Sequence, residues 1–545
     1  MPGKIPTKAI AYVSDEDYVA LAGVSAEFES LHTREVSIYH SSPRGAFYAD
    51  LTAGTYRVTL AKDGYGSKWV ECPLGAGEPF HFRLLSDRLL GYMWPKWVRA
   101  GERSEVRLHS VEQTQLTLWR YGLQKEYVGM ISWFDEHGPR SVMQITPDGD
   151  FTQTGVNWNR RGYPSPHPQQ FVTAPDRSGL YYFWARTPSG QTFSFPWVVA
   201  PARPKARLAV LASTNTWNAY NNFGGRSNYI SPAGLPPAPT VNARLDLDRF
   251  TQAESVWRFQ DSEFKPLSFD RPEPHNHIFD NSPWDGSQIT SPIPGRMQCG
   301  QTPAEWRFLG WLEREGYEYD YYSEAQLHDG TLPLDGYQVL VLSVHPEYWT
   351  REMYFELKRW VFECGGRLMY LGGNGLNCEV ALNAEGTMRC LSHDDSTDPA
   401  SGHESRMHRT AESEANLLGV VFTYAGAMTA APYRVLDETH WVLEGTGLRN
   451  GDLFGEKTLH ERVPGGASGH ETDKVSASSP AHVERIAQGI NPDNGGADLI
   501  HYLTGRGAVF SAGSITWVSA LFTDSHVSRI TRNVLDRFLA SNRPS

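Results

Sequence analysis

A histidine and a glutamate, His345 and Glu347, lie two residues apart directly after the apolar run 339–344. The run is typical of a buried strand, and a helical pattern begins at Thr350. In open α/β sheets, ligands bind where the strands end at the carboxyl edge. An imidazole and a carboxylate at that edge can hold a metal ion, transfer protons, or do both. A glutamate that only favours the helix N-terminus is the alternative interpretation.

Two further loops follow candidate strands. The segment 216–225 contains Tyr220 among asparagines and glycines, where a packing role would call for apolar residues. The loop 372–375 reads Gly-Gly-Asn-Gly, with Asn374 where a nucleophile elbow would carry serine or cysteine. That substitution argues against covalent acyl-enzyme chemistry.

Two polar loops carry acids and histidines without an obvious strand before them. The glycine-rich loop 465–473 presents Glu471 and is either a solvated loop or a lid that brings an acid–base group to the site. The segment 271–277 holds Glu273 and His275 and is either a polar loop or a set of metal ligands.

The elements that must position these loops suggest a multidomain chain. A chain of 545 residues is too long for one core. We expect a small β-sandwich domain at 1–88 and a second β-sandwich at 89–203, since apolar and polar residues alternate in both. From 204 to 545 strands and helices alternate, which predicts an α/β domain with a mostly parallel sheet.

Several elements of that α/β domain have sharp signals. The predicted strands are 207–212, 337–344, 367–371 and 508–511. Thr302 is expected to cap a helix with Pro303 in its first turn and Glu305 completing a capping box. Thr350 is expected to cap the next helix, and the last helix carries Val527 to Phe538 at helical spacing.

Composition excludes some function classes. The net charge of -12, without long like-charge blocks, argues against a nucleic-acid or anionic-membrane partner. The five cysteines form no Cys-x-x-Cys pair, so a disulfide framework or thiolate zinc site is not expected. Residues 1–15 lack the apolar core of a signal peptide, and no run is long enough to span a bilayer. A cytoplasmic protein is the expectation.

Taken together, these segments resemble the large (beta) subunit of N,N-dimethylformamidase. The resemblance covers most of the chain from about residue 90 onward. Its markers, in chain order, are 94–95, 118–122, 216–221, 224–225, 269–272, 345–349, 372–375, 466–471 and 509–515.

The resemblance implies a hydrolase of small amides with a mononuclear non-haem iron held by two tyrosinates and one glutamate. It implies Tyr220 and Glu347 as metal ligands, with His345 beside them. It also implies Asn374 as a contact to substrate or water, and Glu471 as the acid–base partner.

The second tyrosinate is expected just after Arg271-Pro272, where this chain has Glu273 and then His275. Either residue, or another tyrosine, would complete the ligand set. Such an oxygen-rich set suits Fe(III) and also tolerates zinc or manganese.

The resemblance further implies an α/β domain with the architecture of class I glutamine amidotransferases. The family has a small partner subunit. Because this chain carries an additional N-terminal β domain that would replace it, we expect a homo-oligomer, with a small partner subunit as the alternative.

Two other functions stay open at this point. A metal-free cysteine or serine hydrolase would need a nucleophile, and Cys378 is the thiol nearest Asn374. A non-catalytic carbohydrate-binding protein would fit the two sandwiches and the many aromatic residues.

Overall fold

The structure of the chain, a computed structural model, describes residues 8–131, 146–156, 170–241, 259–278, 301–393, 402–460 and 462–540. The protein is multidomain and rich in β-sheet, with sandwich-like pairs of sheets before a larger mixed sheet. Within the described ranges, no helix combines the length and the apolar character that crossing a membrane requires.

The N-terminal part forms two small sheets around one core. Tyr56, Val58 and Leu60 point inward from one strand while the residues between them face outward, which is the alternation expected of a half-buried strand. The three-stranded sheet comprises Ala46–Phe47, Ala11–Ser14 and Phe80–Arg83 in that order. The four-stranded sheet comprises Val36–His40, Ser25–Ser30, Gly54–Lys62 and Gly66–Leu74 in that order.

The second part again pairs two sheets. The three-stranded sheet comprises Gln170–Thr173, Arg103–His109 and Leu90–Trp94, in that order. The five-stranded sheet comprises Lys125–Ile131, Gln115–Tyr121, Gly179–Arg186, Thr192–Ala200 and Trp97–Arg99, in that order, and a short helix spans Phe151–Thr154.

The aromatic run 181–184 explains how this part joins the next. All four side chains are buried, as their composition predicts. Tyr181 and Phe183 pack into the core between the two sheets, whereas Tyr182 and Trp184 pack into the core of the C-terminal sheet. One strand therefore contributes alternate side chains to two cores.

The C-terminal part is built on a nine-stranded sheet. Its strands, in chain order, are β1 (Leu208–Ala212), β2 (Asp320–Ser323), β3 (Val339–Val344), β4 (Arg367–Gly372), β5 (Tyr433–Val435), β6 (Leu453–Phe454), β7 (Glu484–Gly489), β8 (Asp498–Leu503) and β9 (Ala508–Ser511). Their order across the sheet is β2-β1-β3-β4-β9-β8-β7-β5-β6. The first five are parallel and the pairings from β9 to β6 are antiparallel, so the sheet is mixed.

Both faces of this sheet are covered. Val339 and Val341 of β3 belong to the core on one face, and Leu340 and Leu342 to the core on the other, which is why the strand reads as a continuous apolar run. The helices are α1 (Thr214–Tyr220), α2 (Thr302–Arg314), α3 (Glu324–His328), α4 (Arg351–Phe362), α5 (Arg406–Thr410), α6 (Ala415–Leu418), α7 (Trp517–Ala520) and α8 (Ser525–Ala540). Single 3-10 turns span Asp261–Glu263, Pro274–Asn276, Leu334–Gly336 and Trp441–Leu443.

Smaller sheets carry the loops above the carboxyl edge. The four-stranded one comprises Leu267–Ser268, Thr387–Cys390, Cys378–Asn383 and Tyr348–Trp349, in that order. Two-stranded pairs join Val421–Thr423 to Thr472–Lys474 and Ala430–Ala431 to Ser468–Gly469. These short pairs fix the loop 465–473 over the large sheet.

The start of α2 differs from its prediction. The helix begins at Thr302, and Gln301 takes the cap position without a side-chain hydrogen bond. Glu305 does not turn back to the helix start. Its carboxylate instead accepts hydrogen bonds from the Ser213 backbone, the Trp217 indole and the Tyr321 hydroxyl, because these three donors are buried beside it. The capping box was therefore wrong, whereas the cap at Thr350 is confirmed by a hydrogen bond from Met353 N.

Candidate active site

His345 and Glu347 lie where β3 ends, and both side chains are buried. The chain turns at Val344, which has a φ of 62°, a left-handed conformation that is rare for a β-branched residue. Strain of this kind persists only where the surrounding structure enforces it, and it concentrates at functional sites. Behind the turn, the Thr216 hydroxyl accepts a hydrogen bond from Glu347 N at 3.1 Å. The turn therefore holds both side chains above the sheet edge.

Tyr220 reaches the same point from the neighbouring strand. It ends α1, which follows β1, and β1 pairs in parallel with β3. Its hydroxyl donates to Oε2 of Glu347 at 2.9 Å. The pairing of Tyr220 with Glu347, expected from the sequence resemblance, is therefore present as a direct contact.

A second tyrosine, Tyr229, completes this cluster. Its hydroxyl lies 2.8 Å from that of Tyr220 and 3.2 and 3.3 Å from the two carboxylate oxygens of Glu347. The Tyr348 hydroxyl donates to it at 2.7 Å. We call Tyr220, Tyr229 and Glu347 the Tyr–Glu cluster. Sequence reasoning missed Tyr229, although it lies only nine positions beyond Tyr220 in the same polar segment.

The Tyr–Glu cluster has the donor set of a site for a hard cation. Burial first, and then the charge of Glu347, raises the pKa of Tyr220 and of Tyr229 well above the usual value. Without a cation, the phenols keep their protons and bond to one another and to the carboxylate. A highly charged cation would replace those protons and neutralise three anionic oxygens, so these residues fit an oxygen-bound metal such as Fe(III).

Arg406, at the start of α5, brings a guanidinium to this cluster. Its Nη1 lies 3.3 Å from Oε1 of Glu347, and its charge opposes part of the rise in the pKa of Tyr229. The contact orients Glu347 so that Oε2 faces Tyr220. No motif in the sequence pointed to Arg406, because the contact spans 59 residues of chain.

His345 lies between two carboxylates. Its Nε2 is 3.2 Å from Oε2 of Glu347 and 3.0 Å from Oε2 of Glu471. Burial alone would lower the pKa of His345, but Glu471 and Glu347 together outweigh it and raise the pKa to about 10. Burial would likewise raise the pKa of Glu471, but His345 lowers it below the usual value. The two side chains therefore form an imidazolium–carboxylate pair.

Asn374 joins the loop after β4 to the glycine-rich loop. Its side-chain amide donates to Oε2 of Glu471 at 2.9 Å, and its backbone N–H donates to Asp473 at 2.8 Å. A Cβ on Gly373 would lie 2.2 Å from the backbone oxygen of Glu471, so only glycine permits this approach. The loops predicted from the sequence, 372–375 and 465–473, are thus brought together with His345.

The structure places Glu273 and His275 elsewhere. The Lys96 ammonium lies 2.6 Å from Oε1 of Glu273, and the Asn276 amide donates to its Oε2 at 3.0 Å. Burial lowers the pKa of His275 to about 4. Among the described residues, no hydrogen bond or ion pair joins either side chain to the Tyr–Glu cluster. The structure therefore does not bring Glu273 or His275 to Glu347, because the ion pair with Lys96 engages Glu273. Tyr229 lies there instead, at the position that the sequence left open to another tyrosine.

Cys378, the thiol nearest to Asn374 along the chain, is ill suited to be a nucleophile. Cys378 is fully buried, and its Sγ lies 3.1 Å from that of Cys390. Burial raises the pKa of the Cys378 thiol well above its usual value. A thiolate is the nucleophilic form of cysteine, so this environment opposes a covalent mechanism.

Comparison with known proteins points in one direction. The family model described as N,N-dimethylformamidase beta subunit-like, C-terminal, matches residues 129–528. The chain is 24% identical over 506 residues to the N,N-dimethylformamidase beta subunit of Paracoccus aminophilus, covering 77% of this chain and 62% of the relative. It is 26% identical over 287 residues to that of an Alcaligenes species, covering 44% of this chain and 37% of the relative.

Likenesses to solved structures are weak. A protein from Bacteroides uniformis, described as carbohydrate-binding, covers 34% of this chain and 88% of its own at 13% identity and a TM-score of 0.13. A Bacteroides ovatus protein of a mixed-linkage glucan utilization locus, in complex with a mixed-linkage heptasaccharide, covers 39% of this chain and 48% of its own at 12% identity and a TM-score of 0.10. At these scores, neither likeness bears on fold or ligand.

Proposed function

The chain belongs to the N,N-dimethylformamidase beta subunit-like family, and we propose that it hydrolyses the C–N bond of a small amide at the Tyr–Glu cluster. The observation that carries this proposal is the convergence of Tyr220, Tyr229 and Glu347 beside the His345–Glu471 pair. The chain spans less than two thirds of the length of either curated relative, so the activity in their names enters here as part of the proposal.

The Tyr–Glu cluster is proposed to hold one metal ion, with Tyr220, Tyr229 and Glu347 as its protein ligands. Three anionic oxygens favour Fe(III), and zinc or manganese are the alternatives. When bound there, the metal supplies Lewis acidity, which makes water a stronger nucleophile and polarises a carbonyl oxygen. Arg406 contacts Oε1 of Glu347, which leaves Oε2 directed at Tyr220.

Beside the proposed metal site, Glu471 and His345 are proposed to act as the acid–base pair. Glu471 is the carboxylate in its pair with His345, so it can accept a proton from water. His345 is the imidazolium, so it can donate a proton to the departing amine. Asn374 holds Glu471 in place and offers an amide donor to the carbonyl oxygen, a contact worth roughly 3 kcal/mol in acyl-transfer enzymes.

The alternative hypothesis, a metal-free cysteine hydrolase, has less support than the metal-dependent one. It would place the nucleophile at Cys378, and burial raises the pKa of that thiol well above its usual value despite the opposing charge of Arg406. No observation specifically favours the carbohydrate-binding interpretation. The sandwich-like sheets are explained as domains that pack against the catalytic sheet.

The wider proposal follows the family. The parallel half of the sheet, with a strained turn after β3, supports a class I glutamine amidotransferase-like architecture. The proposed substrate is a small amide, and neither a nucleic acid nor a membrane is proposed as a partner. The relatives are named as beta subunits, so we propose an oligomer, either of this chain alone or with a small partner subunit, in the cytoplasm.

Metal content and turnover measured on one preparation test the proposal. We expect about one metal ion per chain by elemental analysis, and release of amine from N,N-dimethylformamide or another small N-alkyl amide. Glu347→Ala should lose both, and it serves as the matched inactive control. A chain without metal and without turnover on such amides would contradict the proposal.

A further inference from the structure

Two buried imidazoles and a carboxylate converge on the far half of the large sheet. Glu484 of β7 and His501 of β8 face each other directly in the antiparallel ladder. His440 comes from the loop between β5 and β6 and lies next to the 3-10 turn Trp441–Leu443. Nδ1 of His501 lies 2.8 Å from Oε2 of Glu484, and Nε2 of His440 lies 3.1 Å from the same atom. One ring nitrogen of each histidine therefore lies beside the same carboxylate oxygen, although the three residues come from separate segments of the chain.

We propose that His440, Glu484 and His501 form a second metal site, which takes a divalent cation of the zinc class. One ligand atom from each residue lies within 4.8 Å of the other two. Two imidazole nitrogens and one carboxylate oxygen are the ligands that Zn²⁺ accepts in three-ligand open sites. No hydrogen bond or ion pair in the described part of the chain joins them to the Tyr–Glu cluster.

The site is preorganised by its aromatic surroundings. The ring of Trp441 lies 5.4 Å from that of His440 and 5.2 Å from that of His501, and Phe538 of α8 packs at 6.4 Å from His501. The two histidine side chains are only 6% and 5% exposed. Rings held in place before binding lose little freedom when a metal arrives, which favours affinity.

Burial keeps His501 able to bind. It lowers the pKa of His501 and so favours the neutral form, and the charge of Arg537, whose guanidinium lies over Trp441, acts in the same direction, whereas Glu484 raises that pKa. Coordination through Nε2 of His440 would move the ring proton to Nδ1. That change would break the 3.3 Å hydrogen bond that Val442 N donates to Nδ1 of His440.

The open side of the site faces solvent. The Glu484 side chain is 56% exposed, so water can fill the remaining coordination positions. A cation there would tie the loop that carries His440 to strands β7 and β8. The same loop is held by α8, where the Asn533 amide donates to Val442 O at 2.9 Å. The metal would therefore stabilise the edge of the sheet, away from the proposed chemistry.

Titration with Zn²⁺ tests this site on the intact protein as isolated. Calorimetry should detect one Zn²⁺ per chain beyond the metal already present, and Zn²⁺ should raise the melting temperature. Glu484→Gln keeps a hydrogen-bond acceptor for both histidines but loses the anionic ligand. Outer-shell changes alone cost 10–100-fold in metal affinity, so loss of a ligand should weaken the Zn²⁺ Kd by at least about 100-fold.

His501→Ala should behave as Glu484→Gln does. His482→Ala is the matched control, because this histidine lies close by and bonds only to the Leu503 carbonyl at 2.5 Å in the described contacts. The metal of the Tyr–Glu cluster should be unchanged in all three variants, which separates this proposal from the proposed function. Equal Zn²⁺ stoichiometry and Kd in the wild type and Glu484→Gln, or no Zn²⁺ bound by the wild type, would overturn it.

Discussion

The hydroxyl oxygens of Tyr220 and Tyr229 lie 2.8 Å apart, and both lie within 3.3 Å of an oxygen of Glu347. Two phenols and a carboxylate so close together in the interior would repel one another if all were ionised. Their hydrogen bonds resolve this conflict while the phenols keep their protons. A multivalent cation would instead neutralise the three ionised oxygens, and this is why the arrangement points to a metal centre.

Tyr229→Phe should lose metal, because it removes one of three anionic oxygens while keeping the ring. We expect metal affinity to fall at least about 100-fold and activity to fall with it. If the metal is ferric, the visible phenolate-to-iron absorption band of the wild type should weaken. Tyr348→Phe is the control, since its hydroxyl contacts Tyr229 but has no hydrogen bond to Glu347 among the described contacts. Full metal content in Tyr229→Phe would remove Tyr229 from the ligand set.

Much of the framework of the site was predictable. The apolar run ending at Val344 predicted β3, and the hydroxyl of Thr350 predicted the start of α4. These signals are local, since they depend on burial and on backbone hydrogen bonds within a few residues. The family resemblance implied that Tyr220, His345 and Asn374 share one site. Parallel strands bring their carboxyl ends to one edge, which is how these side chains can meet.

The position of Tyr229 beside Glu347 was not predictable, for a physical reason. Tyr229 is placed by a non-helical segment that folds back over α1, with the Asn228 N–H donating to Ala219 O at 3.0 Å. No periodicity marks such a segment. Similarly, Glu273 looked like a ligand because sequence spacing does not reveal that Lys96, from the preceding domain, reaches it. Val36 and Ile38 alternate with polar residues in the strand Val36–His40 and yet are 54% and 60% exposed, because alternation does not tell which face is covered.

Glu273→Gln and Glu347→Gln should separate the two candidate carboxylates. Glu347→Gln should lose metal and activity together, since it removes an anionic ligand. Glu273→Gln should keep the metal and lower stability, because it leaves the buried Lys96 ammonium without its anion. Breaking a buried ion pair in this way costs about 3–5 kcal/mol. Metal content and urea unfolding of both variants test which carboxylate is a ligand. Loss of metal from folded Glu273→Gln would restore Glu273 as a candidate ligand.

Cys378→Ala should remain active. The thiol is buried against Cys390, and its high pKa keeps it protonated. We expect kcat/KM within about a factor of three of the wild type, with a modest loss of stability from the small cavity. Chelation of the metal should instead abolish turnover. An inactive but folded Cys378→Ala, together with turnover that survives chelation, would favour the cysteine mechanism.

Glu471→Gln should lose turnover and keep metal. Glutamine can still accept the hydrogen bond from Asn374, but it cannot take a proton from water. General base catalysis is worth about 10²–10⁴-fold, so kcat should fall by that factor. Asn374→Ala should also keep its metal and should lose about 10²–10³-fold in kcat. If either variant loses metal, its side chain supports the metal site and the proposed division of roles is wrong.

Glu305→Gln should flatten the dependence of stability on pH. Burial raises the pKa of Glu305 from 4.5 to about 7. Because the folded state holds this proton more tightly than the unfolded one, its contribution is fully present below pH 4.5 and is lost as pH rises through 7. The loss corresponds to about 3 kcal/mol.

Glutamine is neutral at every pH and keeps acceptors for the donors on Ser213 and Trp217. Relative to the wild type, the variant should therefore gain stability between pH 5 and pH 8, as measured by urea unfolding at both values. Glu352→Gln, at a position whose side chain is 70% exposed, is the control and should show no such gain. A wild type and a Glu305→Gln variant that lose equal stability over this range would mean that Glu305 is ionised in the folded protein at pH 5. In that case its three hydrogen bonds would outweigh its burial.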